Sequence, residues 1–176
     1  MPDLAFVPGD GNPVTPLERR VIATLAGQGL TVATAESCTA GLIAARLAEV
    51  PGSSRVLDRG WIVYANQGKC DELGVSPRVL EQHGAVSRAV VEAMALGALH
   101  KSRVDRAVAV TGIAGPGGGA PGKPVGTVWL AVAEEPSPVR CFKLQLSGQR
   151  NANRWIASQW GLRLLLDPQG AGSVGP

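Results

Sequence analysis

Between residues 17 and 112, stretches with helical spacing alternate with short strand-like runs. This alternation constrains the fold more tightly than any other feature of the chain. "LERRVIATLAGQGL" sets Leu17, Val21 and Leu25 on one face and stops at a glycine, as an amphipathic helix does. "TVATA" follows as a short strand. "AGLIAARLAEV" then puts Leu42, Ile43 and Leu47 on one side and halts at Pro51 and Gly52. "GWIVYA" is β-branched and aromatic and predicts a strand. "NQGKCDELG" predicts a short helix, and another runs from Pro77 to about Gln82. "SRAVVEAMALGALHKS" predicts a long helix capped by Ser87, with Val90, Ala93, Met94 and Gly97 as a small-residue face for close approach to a sheet. "RAVAVTG" predicts a strand running into the glycine loop "GIAGPGGGAPGKP". "GTVWLAVAE" and "VRCFKLQL", joined by "EPSP", predict an antiparallel hairpin. A last helix is expected from about Arg150 to Leu166.

Helical crossovers between the early strands imply parallel pairing, and the late hairpin adds an antiparallel member. The expected fold is α/β: a three-layer α/β/α sandwich with a mixed, mainly parallel sheet. Residues 16–167 form the domain, 1–15 a leader or arm, and 168–176 a flexible tail. Sheets of this kind bind ligands beyond the carboxyl ends of their strands. Three polar clusters fall at such ends: 36–39, 64–69 and 111–119.

Composition removes several classes. No run of about 20 apolar residues exists, so no membrane span is expected. The start "MPDLAFVPGDG" has neither a basic opening nor a long apolar core, so a cytoplasmic location is expected. The net charge of +3 is scattered, which argues against a nucleic-acid partner. Cys38, Cys70 and Cys141 are isolated from one another and from both histidines. Neither a metal site nor a disulfide framework is indicated. No cofactor is expected.

Within the first cluster, "TAESCTAG", Ser37 is either part of a helix cap or a nucleophile facing the amides of its own turn. Cys38 is a rival nucleophile, but adjacent residues on a turn point different ways. The two histidines, His83 and His100, stand away from strand ends, so a Ser-His-Asp triad is poorly supported. A base must come from elsewhere. The chain uses 13 arginines and only four lysines. A lysine can lose its proton when desolvated, whereas an arginine effectively cannot. Lys69 follows the single tyrosine, Tyr64, by five residues, and the pair could relay a serine proton. The bland alternative is a surface lysine and a core tyrosine. "TGIAGPGGG" lacks the P-loop lysine and the dinucleotide spacing. It is a mobile loop or a nest of amides for an anion, with Thr111 and Gly112 as its rigid part. Arg150 and Arg154 open the last helix either as solvated charges or as a phosphate clamp.

Together "AESCTAG", "VPGSS", "YANQGK", "HGAVS", "AVTGIAGPGGGAPGKPVGTVW" and "LSGQR" resemble the CinA C-terminal domain family over about residues 16 to 166. That family includes nicotinamide-mononucleotide amidases. The resemblance implies a three-layer fold similar to anticodon-binding domains. It implies hydrolysis of nicotinamide mononucleotide to nicotinic acid mononucleotide and ammonia, in pyridine nucleotide salvage, with a small-molecule nucleotide as substrate. A catalytically silent nucleotide-binding or regulatory module is the alternative. The family's serine falls on Ser37, its tyrosine and lysine on Tyr64 and Lys69, its threonine and glycine on Thr111 and Gly112, and its arginine on Arg150. Glu36, Thr39, Ala40 and Asn66 are expected to line the substrate. Amides near Thr39 and Ala40 form the expected oxyanion hole, and Arg150 with the Thr111 loop is expected to hold the 5′-phosphate. The chain departs from the family at Ala40, where a glycine is usual, at Ala65, Gln67 and Gly68, and at Gln149, where an acid is usual. With a short leader before the domain, the stand-alone form of the family is expected. A homo-oligomer, with a dimer favoured, is expected.

Overall fold

A computed structural model describes residues 16–169. The expected leader, 1–15, and positions 170–176 of the expected tail lie outside the described residues. The elements are α1 (Leu17–Gln28), β1 (Val32–Glu36), α2 (Leu42–Ala48), a single 3-10 turn (Ser53–Arg55), β2 (Leu57–Ile62), α3 (Asn66–Leu73), α4 (Pro77–His83), α5 (Arg88–Ser102), β3 (Arg106–Gly112), β4 (Thr127–Glu134), β5 (Arg140–Gln145) and α6 (Arg150–Leu166).

One five-stranded sheet, ordered β2-β1-β3-β4-β5, lies between two helical layers. β1 pairs in parallel with both β2 and β3, while β4 pairs antiparallel with β3 and β5. Only β4 therefore runs against the rest, so the sheet is mainly parallel in strand direction. Its pairings divide evenly between the two kinds.

The two faces of the sheet differ in bulk because side chains alternate along a strand. Val32, Val108, Val110, Val128, Leu130 and Val132 join Leu17, Val21 and Leu25 of α1, Ile43 and Leu47 of α2, and Leu162 and Leu165 of α6. On the other face Ala33, Ala35, Ala107, Ala109, Ala131 and Ala133 make a thin layer beneath α5 and the ends of α3 and α4. The face that α5 turns to this layer is Val90, Val91, Met94, Ala95, Ala98 and Leu99. It is rotated from the expected Val90, Ala93, Met94 and Gly97. Gly97 serves a different contact: a Cβ there would lie 2.0 Å from the Leu73 carbonyl oxygen at the end of α3. Its small size admits a neighbouring helix, not the sheet. Ser87 does cap α5, accepting from the Val90 amide at 3.3 Å.

Strand β2 ends at Ile62, so Tyr64 and Ala65 lie past it and turn the chain into α3. The carboxyl ends of β1, β2 and β3 thus meet at one edge of the sandwich, followed by the serine turn, the tyrosine turn and the glycine loop. Among the described residues no helix is long and apolar enough to cross a membrane.

Gly97→Ala forces a methyl group into the Leu73 carbonyl. Helix propensity favours the change by about 1 kcal/mol. A clash with backbone outweighs that, and a net loss of about 1–3 kcal/mol is expected from urea unfolding. An unchanged midpoint would show that α3 does not seat on Gly97.

Candidate active site

The serine turn is built around Glu36. This last residue of β1 is fully buried. Its carboxylate accepts from Thr39 Oγ1 at 2.7 Å and from the amides of Ile43 and Ala44 at 3.1 and 2.9 Å. It therefore caps α2 from inside the fold, satisfying amides that no helical carbonyl reaches. The cap position of α2 is Gly41, with no side-chain cap of its own. Ser37 is thus not the cap. Its amide donates to Val110 O at 3.0 Å, extending the β1–β3 pairing by one residue, and its carbonyl accepts from the Ala40 amide at 3.1 Å. The Ser37 hydroxyl makes no hydrogen bond among the described residues, and the residue is 8% exposed.

Glu36 and Thr39, expected against substrate, turn into the fold instead. Ala40 supplies neither side chain nor amide to an oxyanion, since its N–H is held by Ser37 O. Its backbone has φ of +51°, and Gly41 follows at +88°. An L-residue in this region costs about 1–2 kcal/mol, so alanine here carries strain that glycine avoids.

The second cluster lies beside the turn. The Val63 amide donates to Glu36 O at 2.9 Å, which sets the tyrosine turn against the serine turn. Lys69, in α3, is 1% exposed. Its amine donates to the carbonyls of Val63, Tyr64 and Ala65 at 2.9, 3.2 and 3.5 Å. No carboxylate pairs with it among the described residues. Burial pushes the Lys69 ammonium below the usual lysine range, opposed by the nearby thiols of Cys38 and Cys70. Burial likewise pushes the Cys38 thiol up to about 12, aided by the charge of Glu36 and opposed by its own amide and by Arg154 and Arg150. Cys38 stays protonated near neutral pH and packs in the core. Such a thiol is a poor nucleophile.

Tyr64 is 56% exposed. Arg150 bridges it to the glycine loop: Nη2 donates to the phenol oxygen and Nη1 to Gly115 O, each at 2.9 Å. Asn66 is exposed at the start of α3. Thr111 is buried, and its hydroxyl donates to Ala85 O at 3.0 Å, tying β3 to the link before α5. A Cβ on Gly112 would lie 2.8 Å from Val128 Cγ2 and 2.9 Å from Thr127 O, so glycine there serves strand pairing. The structure brings Ser37, Tyr64, Lys69 and Arg150 to one edge. It commits Glu36, Thr39 and Thr111 to the scaffold.

Two residues of α6 complete the edge. Asn153 is fully buried and donates from Nδ2 to Ala114 O and Gly148 O at 3.1 and 2.7 Å. Arg154 donates from Nε to Cys38 O at 3.2 Å and from Nη2 to Thr39 O at 2.9 Å. For Arg154 the sequence left open a solvated charge or a phosphate clamp beside Arg150; it grips the serine turn instead. Asn153 has no counterpart in the sequence expectations. The signal was present: Arg150, Asn153 and Arg154 have i, i+3, i+4 spacing, one polar stripe running from the exposed rim into the fold. Farther from the edge, Arg46 of α2 is buried. It donates to Glu18, Ser158 and Gln159 at 2.6, 2.7 and 3.1 Å and stacks on Trp155. That network joins α1, α2 and α6. A cavity of about 540 Å³ opens at the opposite end of the sheet, between Leu30, Val104 and Glu135. At its wall Arg106 pairs with Glu134 and His100 lies 3.5 Å from Glu135, and none of the three polar clusters lines it.

Fold and site define an α/β sandwich whose serine stands on a strand-to-helix turn beside a buried lysine. The chain belongs to the CinA C-terminal domain family, whose model matches residues 14–168. It is 53% identical over 151 residues to a CinA-like protein of Akkermansia muciniphila, covering 86% of this chain but 36% of that one. It therefore spans about a third of that longer relative. It is 49% identical over 144 residues to the nicotinamide-nucleotide amidohydrolase PncC of Enterobacter agglomerans, covering 82% of this chain and 88% of that one. Among solved structures it resembles the competence/damage inducible protein CihA from Agrobacterium tumefaciens, with a TM-score of 0.83 and 47% identity, covering 85% and 92% of the two chains.

Ala40→Gly relieves the left-handed alanine and is expected to stabilise the protein by about 1 kcal/mol in thermal or urea unfolding. A destabilised variant would show that the turn does not hold residue 40 at positive φ. Cys38 is expected to resist iodoacetamide at pH 8 in the folded protein and to react once the protein is unfolded. Fast native alkylation would contradict the burial that raises its thiol.

Proposed function

We propose that this chain is a nicotinamide-nucleotide amidohydrolase that releases ammonia from nicotinamide mononucleotide through a Ser37 acyl-enzyme, in pyridine nucleotide salvage. Membership of the family and the printed name of the Enterobacter relative support the substrate class. The observation that carries the mechanism is Lys69, a buried amine without a carboxylate partner, held by the carbonyls next to the serine turn. Burial makes its neutral form accessible, which suits a base.

In the first step Ser37 Oγ attacks the carboxamide carbon and its proton passes to Lys69. Collapse of the tetrahedral intermediate breaks the C–N bond. The proton leaves with ammonia through the Tyr64 phenol, which Arg150 orients. Water then attacks the ester carbonyl, its proton returns to Ser37 by the same route, and the carboxylic acid departs. With the Ser37 amide committed to Val110 O and the Ala40 amide to Ser37 O, the amides of Cys38, Thr39 and Gly41 are the remaining oxyanion donors on the turn. Arg150 keeps further N–H groups at the rim for the 5′-phosphate, a match that guanidinium geometry favours.

A silent nucleotide-binding module is the competing function, favoured by the strained backbone at Ala40. Purified protein with nicotinamide mononucleotide is expected to release ammonia and nicotinic acid mononucleotide in equal amounts. Ser37→Ala should lower kcat by at least about 10³-fold. Lys69→Arg, which keeps the charge but cannot act as a base, should do the same. Because the base works neutral and its ammonium is shifted down, kcat/KM should rise with pH and level off below 10.5, the ordinary lysine value. Nucleotide binding without ammonia release would favour the silent module.

A further inference from the structure

We propose that Arg154 is a positioning residue for the nucleophile: its guanidinium fork holds the Cys38 and Thr39 carbonyls and thereby sets the reactivity of Ser37 without touching substrate. The proposal rests on the serine mechanism above, but not on the identity of the nucleotide.

Arg150 and Arg154 stand one helical turn apart yet do different work. Arg150 is exposed at the rim, on Tyr64 and Gly115. Arg154 is partly buried, and two of its nitrogens donate to successive main-chain oxygens on an element far away in sequence. A peptide group is planar, so fixing its carbonyl also fixes the amide on its other edge. Holding Cys38 O aims the Thr39 amide. Holding Thr39 O aims the Ala40 amide, which donates to Ser37 O at 3.1 Å. On its other side Ser37 is held by Val110 O. The serine backbone is therefore restrained from both sides, and one of those restraints passes through Arg154.

The turn has reason to need it. Ala40 sits at φ of +51°, and strained backbone persists only where its surroundings over-determine it. Glu36 secures the side chain of Thr39 and the start of α2. The Cys38 carbonyl has no other donor among the described residues, and the Thr39 carbonyl has only the Leu42 amide at 3.3 Å. A guanidinium forks onto two oxygens where an ammonium offers a single point of charge. Its charge also extends to the base of the turn, as its influence on the Cys38 thiol indicates.

The test follows the rate at which diisopropyl fluorophosphate, a small serine reagent without a nucleotide, labels Ser37, read by intact mass. Steady-state amide hydrolysis is measured alongside, with the folded fraction monitored by circular dichroism at the assay temperature. Arg154→Met is expected to slow both labelling and kcat about 100-fold, and Arg154→Lys about 10-fold, with KM changed less than about 3-fold. A raised KM with normal labelling would make Arg154 a substrate contact and overturn the proposal. So would unchanged rates, or rates that fall only as far as the folded fraction does. Labelling of wild type without nucleotide hydrolysis would sink the substrate assignment while leaving this test intact. No labelling of wild-type Ser37 would overturn the proposal together with the serine mechanism.

Discussion

A single buried carboxylate organises the functional edge of this molecule. Glu36 ends β1, and a charge without solvent must find donors or be neutralised. It finds three within eight residues, the Thr39 hydroxyl and two amides at the start of α2. This one interaction ends the strand, starts the helix and folds the intervening residues into a tight reversal. Ser37 is left on its outer side with an uncommitted hydroxyl. It also closes α2's first turn to any anion, since the amides there already have an acceptor. Under the proposed function the phosphate of the nucleotide is therefore recognised elsewhere, the part assigned to the rim arginine.

The first two turns of α6 supply the second level of order. Arg150 reaches the tyrosine turn and the glycine loop, Asn153 the start of that loop, and Arg154 the serine turn. Three segments from distant parts of the chain are fastened by one helix face. All but one of these acceptors, the Tyr64 phenol, are main-chain carbonyls. The site is thus carried on loops whose positions are set by a rigid element. The Arg46 network on the same helix, with Trp155, Ser158 and Gln159, anchors that element to α1 and α2.

Much of this was legible in the amino-acid sequence, and the exceptions share a cause. β3 and α6 match their expected spans because "RAVAVTG" alternates cleanly and α6 follows a glycine break. β2 was displaced: "WIVYA" has the stronger strand propensity, yet pairing with β1 selects Leu57–Ile62 and places weak strand formers such as Asp58 and Gly60 at an edge. Ser37, Tyr64 and Lys69 stood out at strand ends and Arg150 at a helix start, but their residue types alone left bland alternatives open, and the family resemblance supplied their expected roles. The roles of Glu36, Thr39 and Thr111 depend on which way a side chain turns, and residue type does not encode that. Arg154 and Asn153 show in the sequence only as part of a polar stripe on α6; they bind backbone oxygens, and residue type does not reveal which ones.

The alanine layer beneath α5 has a consequence of an entropic kind. Six of the side chains buried there have no rotamers to lose on folding, unlike the valines and leucines of the opposite face. That half of the core is ordered at little conformational cost, but it also has no torsions with which to absorb a change. A methyl group added to it must be met by displacement of α5 itself. Branched side chains across the sheet can instead adjust by rotation. The side of the sandwich that bears α2 and α6 is therefore the compliant one, and sequence drift should collect there before it reaches the alanines.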